Sequence, residues 1–257
     1  MGTLDIDAAV AEFWRAREQG IFFPPAWSGR LSLEDAFRIQ LGLIARREAL
    51  GERRIGWKVG LTSEAIQQQF GVHEPVFGCL LEAGVKRTGE VFRTADLIKP
   101  GFENEICMRL GGDLAGPDVD GAAARQALAA CYPAFEIIET RGDFTKDLPL
   151  AIADNAQQKA IVLGAETRPG ADLDLAAIPV AVEIGGKEVA SGRGDAVLGN
   201  PLNSLAWLAR KLHEFGRGLK AGELVMTGSF TRQFPLAKGD RIRACFSRLG
   251  AVEASFV

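Results

Sequence analysis

The sequence predicts an α+β fold in which a small, mainly helical N-terminal domain, residues 1–71, precedes a β-rich body, residues 72–257. Three observations carry this. Helical periodicity dominates up to about Leu50, period-two alternation recurs from Arg54 onward, and the later strands are joined mostly by short turns. Hairpin-linked strands with few helices between them imply a mainly antiparallel sheet.

Ile6, Val10, Phe13 and Trp14 share one face of a helix over residues 7–19, and Gly20 suits its end. A loop with Pro24-Pro25 leads to Ser32. With Asp35 three residues on, Ser32 resembles a capping box, and the helix it opens closes at Gly51. Residues 54–63 read as a strand between glycines, leading through Ser63 into a short helix. Lys58 stands in that strand between Trp57 and Val59. Such a lysine either snorkels to the surface or holds its ammonium beside an anion, and the local sequence leaves both open.

Short segments and turns fill residues 72–97. The stretch Pro100-Gly101-Phe102-Glu103-Asn104-Glu105-Ile106-Cys107-Met108-Arg109-Leu110 then alternates strictly. Phe102, Ile106, Met108 and Leu110 fall on one face, and Glu103, Glu105, Cys107 and Arg109 on the other. Two residues of a strand span roughly 6.6 Å, so Glu103 and Glu105 project side by side. Carboxylates so placed repel unless a cation or proton sits between them. A hard divalent metal is one reading, and a solvated strand face also suits so short a motif. Gly111-Gly112-Asp113 makes a turn, a helix follows over residues 121–131, and residues 133–139 alternate again. Glu136 shares a face with Ala134 and Ile138, where an unpaired carboxylate is costly. A cation, an arginine partner or a proton resolves it.

Ala153-Asp154-Asn155-Ala156-Gln157 caps a helix or turn, and residues 160–164 are strand-like. Residues 180–184 and 187–189 pair as a hairpin about Gly185-Gly186. The glycines of Ser191-Gly192-Arg193-Gly194-Asp195 follow a hairpin strand and do not fit G-x-G-x-x-G, which rejects a dinucleotide site there. Asn200-Pro201 opens a helix to about Phe215, with Leu205, Leu208, Leu212 and Phe215 as its stripe. Strands over residues 223–227, 241–247 and 252–256 close the chain. His73 and His213, the two histidines, have no ligand-type neighbour at metal spacing and read as structural or exposed.

The 257 residues, 47% hydrophobic and 25% charged, suit one large core with a smaller appended unit. A net charge of −3, with the basic residues dispersed, excludes a nucleic-acid or anionic-membrane surface. Cys79, Cys107, Cys131 and Cys245 form no C-x-x-C, so neither a zinc site nor a disulfide framework is expected. Met1-Gly2-Thr3-Leu4-Asp5-Ile6 has no basic segment followed by an apolar run, and Ile6 stands where a myristoylation signal has Ser or Thr. No apolar run is long enough to span a bilayer. The expected location is the cytoplasm.

Six stretches, in this order, resemble one family over nearly the whole chain: residues 56–63 (Gly-Trp-Lys-Val-Gly-Leu-Thr-Ser), residues 100–105, Pro133-Ala134-Phe135-Glu136, Ala153-Asp154-Asn155-Ala156, residues 191–194 with 198–203, and Thr227-Gly228. The family is the 2-keto-4-pentenoate hydratase and 4-oxalocrotonate decarboxylase group of the fumarylacetoacetate hydrolase-like superfamily. The resemblance implies a mixed, β-rich roll behind the small N-terminal domain, which contributes Lys58. It implies Mg²⁺ or Mn²⁺ on Glu103, Glu105 and Glu136, the residues the strand faces also single out, and all-oxygen ligation suits a hard cation. It places Lys58 in catalysis and Lys58, Gln157, Ser191 and Thr227 at a small 2-oxo or 2-hydroxy acid substrate. It also favours a homo-oligomer.

Two departures matter. The family usually carries an acidic residue about five positions after Phe77-Gly78, where this chain has Ala83 and, one place earlier, Glu82. Glu82 either substitutes through its longer reach as a catalytic residue, or that function is missing. Gln157 stands where relatives tend to carry a small or hydroxylated residue. The leading expectation is a metal-dependent hydratase of 2-hydroxy-2,4-dienoates in aromatic catabolism. Its rivals are a decarboxylase of an oxalocrotonate-like diacid and an acylpyruvate-type hydrolase with Glu82 or His73 as base. A non-catalytic partner or ligand-binding homologue is the rival from outside enzymes.

Overall fold

Side-chain caps open the helices of the first fifty residues. In the computed structural model, Asp5 accepts from the Ala8 N–H to start α1 (Ile6–Glu18), and Ser32 and Asp35 form a reciprocal capping box on α2 (Leu33–Ala49). Residues 4–170 and 172–257 are described; Met1, Gly2, Thr3 and Ala171 lie outside them, and so does the start of the segment expected to carry no targeting or myristoylation signal.

The chain then enters a sheet. In order come β1 (Arg54–Gly60), α3 (Glu64–Gln69), β2 (Val76–Leu81), β3 (Val85–Arg87), β4 (Glu90–Phe92), β5 (Pro100–Leu110), α4 (Gly121–Ala127), β6 (Leu128–Glu139), α5 (Leu148–Ala153) and β7 (Gln158–Leu163). The remainder is β8 (Pro179–Ile184), β9 (Lys187–Arg193), α6 (Pro201–Glu214), β10 (Leu224–Ser229), β11 (Phe234–Pro235), β12 (Arg241–Phe246) and β13 (Gly250–Phe256).

Eight strands form one sheet in the order β2-β1-β10-β5-β6-β7-β3, with β11 paired to β5; five form a second, β4-β13-β12-β8-β9. The pairings β1 with β10, β3 with β7 and β4 with β13 are parallel, so both sheets are mixed rather than purely antiparallel. Trp57, Phe77, Phe102, Phe135, Phe246 and Phe256 are fully buried in a core that draws on both sheets and the helices. Burying large aromatic side chains is the main stabilising contribution such a core makes. No described helix is long and apolar enough to cross a membrane.

One expected helix is shorter than its composition suggests. The Ala-rich run predicted as helix over residues 121–131 leaves the helix at Ala127, and Leu128 opens β6. Leu128 pairs with Leu110 and Ala130 with Arg109, so ladder bonds to β5 override local helix preference.

Candidate active site

The antiparallel register of β5 and β6 sets Glu103 directly opposite Glu136, and Glu105 lies two residues along on the same face. Opposed residues on neighbouring strands have their Cβ atoms only about 5 Å apart, so their side chains meet. One carboxylate oxygen from each of Glu103, Glu105 and Glu136 lies within 4.8 Å of the others. Glu105 and Glu136 are fully buried and Glu103 half-buried. Glu105 Oε2 accepts from the Gly228 N–H at 2.8 Å, whereas among the described residues Glu105 Oε1 and Glu136 Oε1 meet no donor.

Lys58 reaches the cluster from β1. Its Nζ stands 3.1 Å from Glu136 Oε2, in ion-pair contact. The side chain has room because Gly78 lies opposite it on β2; a β-carbon there would come 3.2 Å from Lys58 Cγ. Burial opposes the ammonium charge, yet Glu136, Glu103 and Glu105 outweigh burial and raise the Lys58 pKa. Burial, reinforced by Glu136 and Glu103, pushes the Glu105 carboxyl well above the ordinary carboxylate range. Burial also pushes Glu136 up to about 7, against the pull of Lys58. Buried carboxylate oxygens without donors are costly. A hard divalent cation with oxygen ligands answers that cost, so these residues fit such an ion.

Lys58 and Glu103 line a cavity of about 940 Å³. Leu61, Ile66, Phe70, Val76 and Phe144 supply carbon wall, and the Phe70 and Phe144 rings meet edge to face at 4.6 Å. The segments 140–145, 156–157 and 229–233 complete it. Asn155, Ala156 and Gln157 are three consecutive left-handed residues, with φ of 56°, 47° and 59°. Each costs on the order of 1–2 kcal/mol. Asn155 offsets this by accepting from Cys79 N at 2.7 Å and donating to Cys79 O at 2.9 Å.

Of the residues singled out in the sequence, Lys58, Glu103, Glu105 and Glu136 are brought together. Gln157 lines the cavity with its amide donating to Gly142 O at 3.0 Å. Thr227 is buried on β10 beside Gly228, its hydroxyl donating to Ile106 O at 2.8 Å, and does not line the cavity. Ser191 sits exposed on the edge strand β9 of the other sheet. Glu82 is not brought to the cluster. Because β2 runs antiparallel to β1, the chain leaving Gly78 (opposite Lys58) reaches Leu81 (opposite Arg54) at the far end of the strand. There Glu82 is exposed and pairs with Arg53, which holds its carboxyl below the usual range. His73 is exposed, outside the cavity lining.

No local pattern in the sequence marks the Gly228 N–H, Phe70, Phe144 or Arg141 as part of the site. Gly228 has φ 114°, and a β-carbon there would fall on the Thr62 side chain, so the glycine is required where its amide meets Glu105. Thr227-Gly228 carried a signal through the resemblance; Arg141, a lone arginine after a strand, carried none.

Residues 65–257 match the family described as fumarylacetoacetate (FAA) hydrolase C-terminal. The chain is 37% identical over 229 residues to 2-hydroxyhexa-2,4-dienoate hydratase of Comamonas testosteroni, covering 88% of this chain and 87% of that one. The chain belongs to the hydratase and decarboxylase group of the fumarylacetoacetate hydrolase family. Within that group it is also 38% identical over 231 residues to 4-oxalocrotonate decarboxylase of Pseudomonas sp. (strain CF600), covering 88% and 86%. The solved 4-oxalocrotonate decarboxylase of Pseudomonas putida G7, complexed with magnesium and adipate, superposes over 100% of both chains with a TM-score of 0.93 at 31% identity. As a member of this group, the chain is an enzyme.

Proposed function

We propose that this enzyme is a divalent-metal-dependent hydratase that adds water to a 2-hydroxy-2,4-dienoate, through its 2-oxo-4-enoate form, to give a 4-hydroxy-2-oxo acid in aromatic catabolism. The observation that carries this reading is the convergence of three carboxylates and a buried ammonium on one cavity whose wall is largely carbon. The hydratase relatives support it.

Glu103, Glu105 and Glu136 would hold Mg²⁺ or Mn²⁺, which when bound supplies a Lewis acid to the acid's carboxylate and neighbouring oxygen. The Gly228 N–H keeps Glu105 in place, and Lys58 does the same for Glu136. Lys58 holds a proton at Nζ and moves it as the acid tautomerises, and its charge favours the anion that develops. Gln157, with its amide turned to Gly142, presents its side-chain stem to the substrate. The Phe70 and Phe144 rings receive the alkene end. Arg141 lines the cavity but bonds Glu139, Asp154 and the Gln158 carbonyl, so it is not free to receive a second carboxylate. On the same reading, the enzyme works as a cytoplasmic homo-oligomer, for which the family resemblance is the support.

A second reading, decarboxylation of an oxalocrotonate-like diacid, is favoured by Lys99 and Arg232. Both line the cavity, and neither has a carboxylate partner among the described residues. The test mixes Mg²⁺-loaded protein with a 2-hydroxydienoate and follows its ultraviolet absorbance. Loss of absorbance without CO₂ release supports the hydratase. No loss, in protein shown by calorimetry to bind Mg²⁺, overturns it. CO₂ release from a 2-oxo-enedioate moves the assignment to the decarboxylase.

A further inference from the structure

A buried charge network ties the cavity wall to the N-terminal helices. Arg141, whose side chain is 3% exposed, lies two residues beyond the end of β6. Its Nε donates to Asp154 Oδ2 at 2.5 Å, its Nη1 to Glu139 Oε2 at 2.9 Å and its Nη2 to Asp154 O at 3.0 Å. Asp154 Oδ1 accepts from Arg17 Nη1, on α1, at 3.1 Å. The Phe22 ring lies against both guanidinium groups, 5.1 Å from Arg17 Cζ and 5.3 Å from Arg141 Cζ. Phe23 covers Gly142, where a β-carbon has no room.

Two cavity-lining segments meet at this network. One is the loop 140–145, which begins beside Glu139. The other is the left-handed turn 155–157, which begins beside Asp154. They are joined a second time where Gln157 donates to Gly142 O. Consecutive left-handed residues relax unless their ends are held. Arg17 touches neither the cavity nor the carboxylate cluster, and the cluster is carried by β1, β5 and β6, whose pairing does not involve α1.

We propose that Arg17 is a positioning residue for the substrate cavity. Through Asp154 and Arg141 it fixes the spacing between the 140–145 loop and the 155–157 turn, and so sets which distal chain of the acid the cavity accepts. The choice of acid rests on the 2-oxo acid reading above; the positioning does not. In effect, the N-terminal helical unit becomes a specificity element for a site built on the sheet.

The test compares Arg17→Ala and Arg17→Lys in the full chain loaded with Mg²⁺. Oxalate covers only the head of the site, whereas 2-oxohexanoate also reaches the distal wall. Calorimetry is expected to show Arg17→Ala weakening 2-oxohexanoate about tenfold, with Mg²⁺ and oxalate affinities held within about twofold. Arg17→Lys, which keeps a cation for Asp154, is expected to recover most of the loss. Amide hydrogen exchange at residues 140–145 and 155–157 is expected to speed up in Arg17→Ala while β1 and β5 stay protected. Equal weakening of oxalate and 2-oxohexanoate overturns the proposal, as does unchanged exchange in both segments. A wild-type chain that binds Mg²⁺ but neither acid overturns the 2-oxo acid reading instead, and the exchange measurement then decides the role of Arg17.

Discussion

Lys58 and Glu136 form a buried ion pair at 3.1 Å, with side-chain exposures of 6% and 0%. The pair does not close its own charge account, because Glu103 and Glu105 converge on it. One ammonium against three ionised carboxylates leaves two negative charges in a site that burial makes hostile to them, and a divalent cation meets that deficit.

Replacing Lys58 separates chemistry from metal binding. Lys58→Ala is expected to lower turnover about 10²–10⁴-fold, the span for losing a positioned proton-transfer group. Mg²⁺ affinity by calorimetry should not weaken comparably, because a competing cation has been removed. Matched losses in both would contradict the role given to Lys58.

Glu105→Gln keeps the shape of a fully buried side chain and removes its charge. The metal-free fold should persist by circular dichroism, since Glu105 Oε1 accepts no hydrogen bond and burial already disfavours the ionised form. The rise in Tm on adding Mg²⁺ should vanish, because only an ion that binds the folded state stabilises it. An undiminished rise would exclude Glu105 as a ligand.

The metal-free protein should lose stability as pH rises through the interval set by Glu136. That carboxyl moves from an ordinary value of 4.5 to about 7 in the fold. Between those values the unfolded chain releases the proton and the folded chain keeps it, so this contribution is full below 4.5 and lost by about 7. Glu105 is raised in the same direction. Melting at about pH 5 and about pH 7.5 should show a larger Mg²⁺-induced increase in Tm at the higher pH.

Gly228→Ala places a β-carbon on Thr62 at a φ of 114°. Denaturant unfolding should report a loss of about 1–3 kcal/mol. Mg²⁺ affinity should fall as well, because the Gly228 N–H that orients Glu105 cannot stay in place. Stability falling with metal affinity untouched would show that this amide does not position the ligand.

Glu82→Gln should leave turnover and Mg²⁺ affinity unchanged, since the exposed carboxylate pairs with Arg53 at the far end of β2. A kinetic loss large enough to rival Lys58→Ala would return Glu82 to the site.

Much of this was legible in the chain itself. The capping box at Ser32, the Asn200-Pro201 helix start and the Gly185-Gly186 hairpin all appear where periodicity and turn chemistry placed them. Glu103 and Glu105 share a face because alternation is a property of one strand. The helix over residues 121–131 was overextended because its alanines favour helix locally while their partners on β5 lie elsewhere in the chain. Arg141 and Arg17 gave no signal, since what marks them is a shared buried aspartate rather than any local pattern.

Residue order along the chain settles which groups can carry the chemistry: oxygen donors on alternating strands, a lysine among apolar residues, and a family order of motifs. Which of them meet depends on how distant strands pair. The β5–β6 register put Glu136 opposite Glu103, the placement of β1 between β2 and β10 turned Lys58 inward, and the antiparallel run of β2 carried Glu82 away. Periodicity and donor type belong to neighbours along the chain, whereas register and strand direction are set by pairing between distant segments, and it is pairing that brings charges within reach of one another.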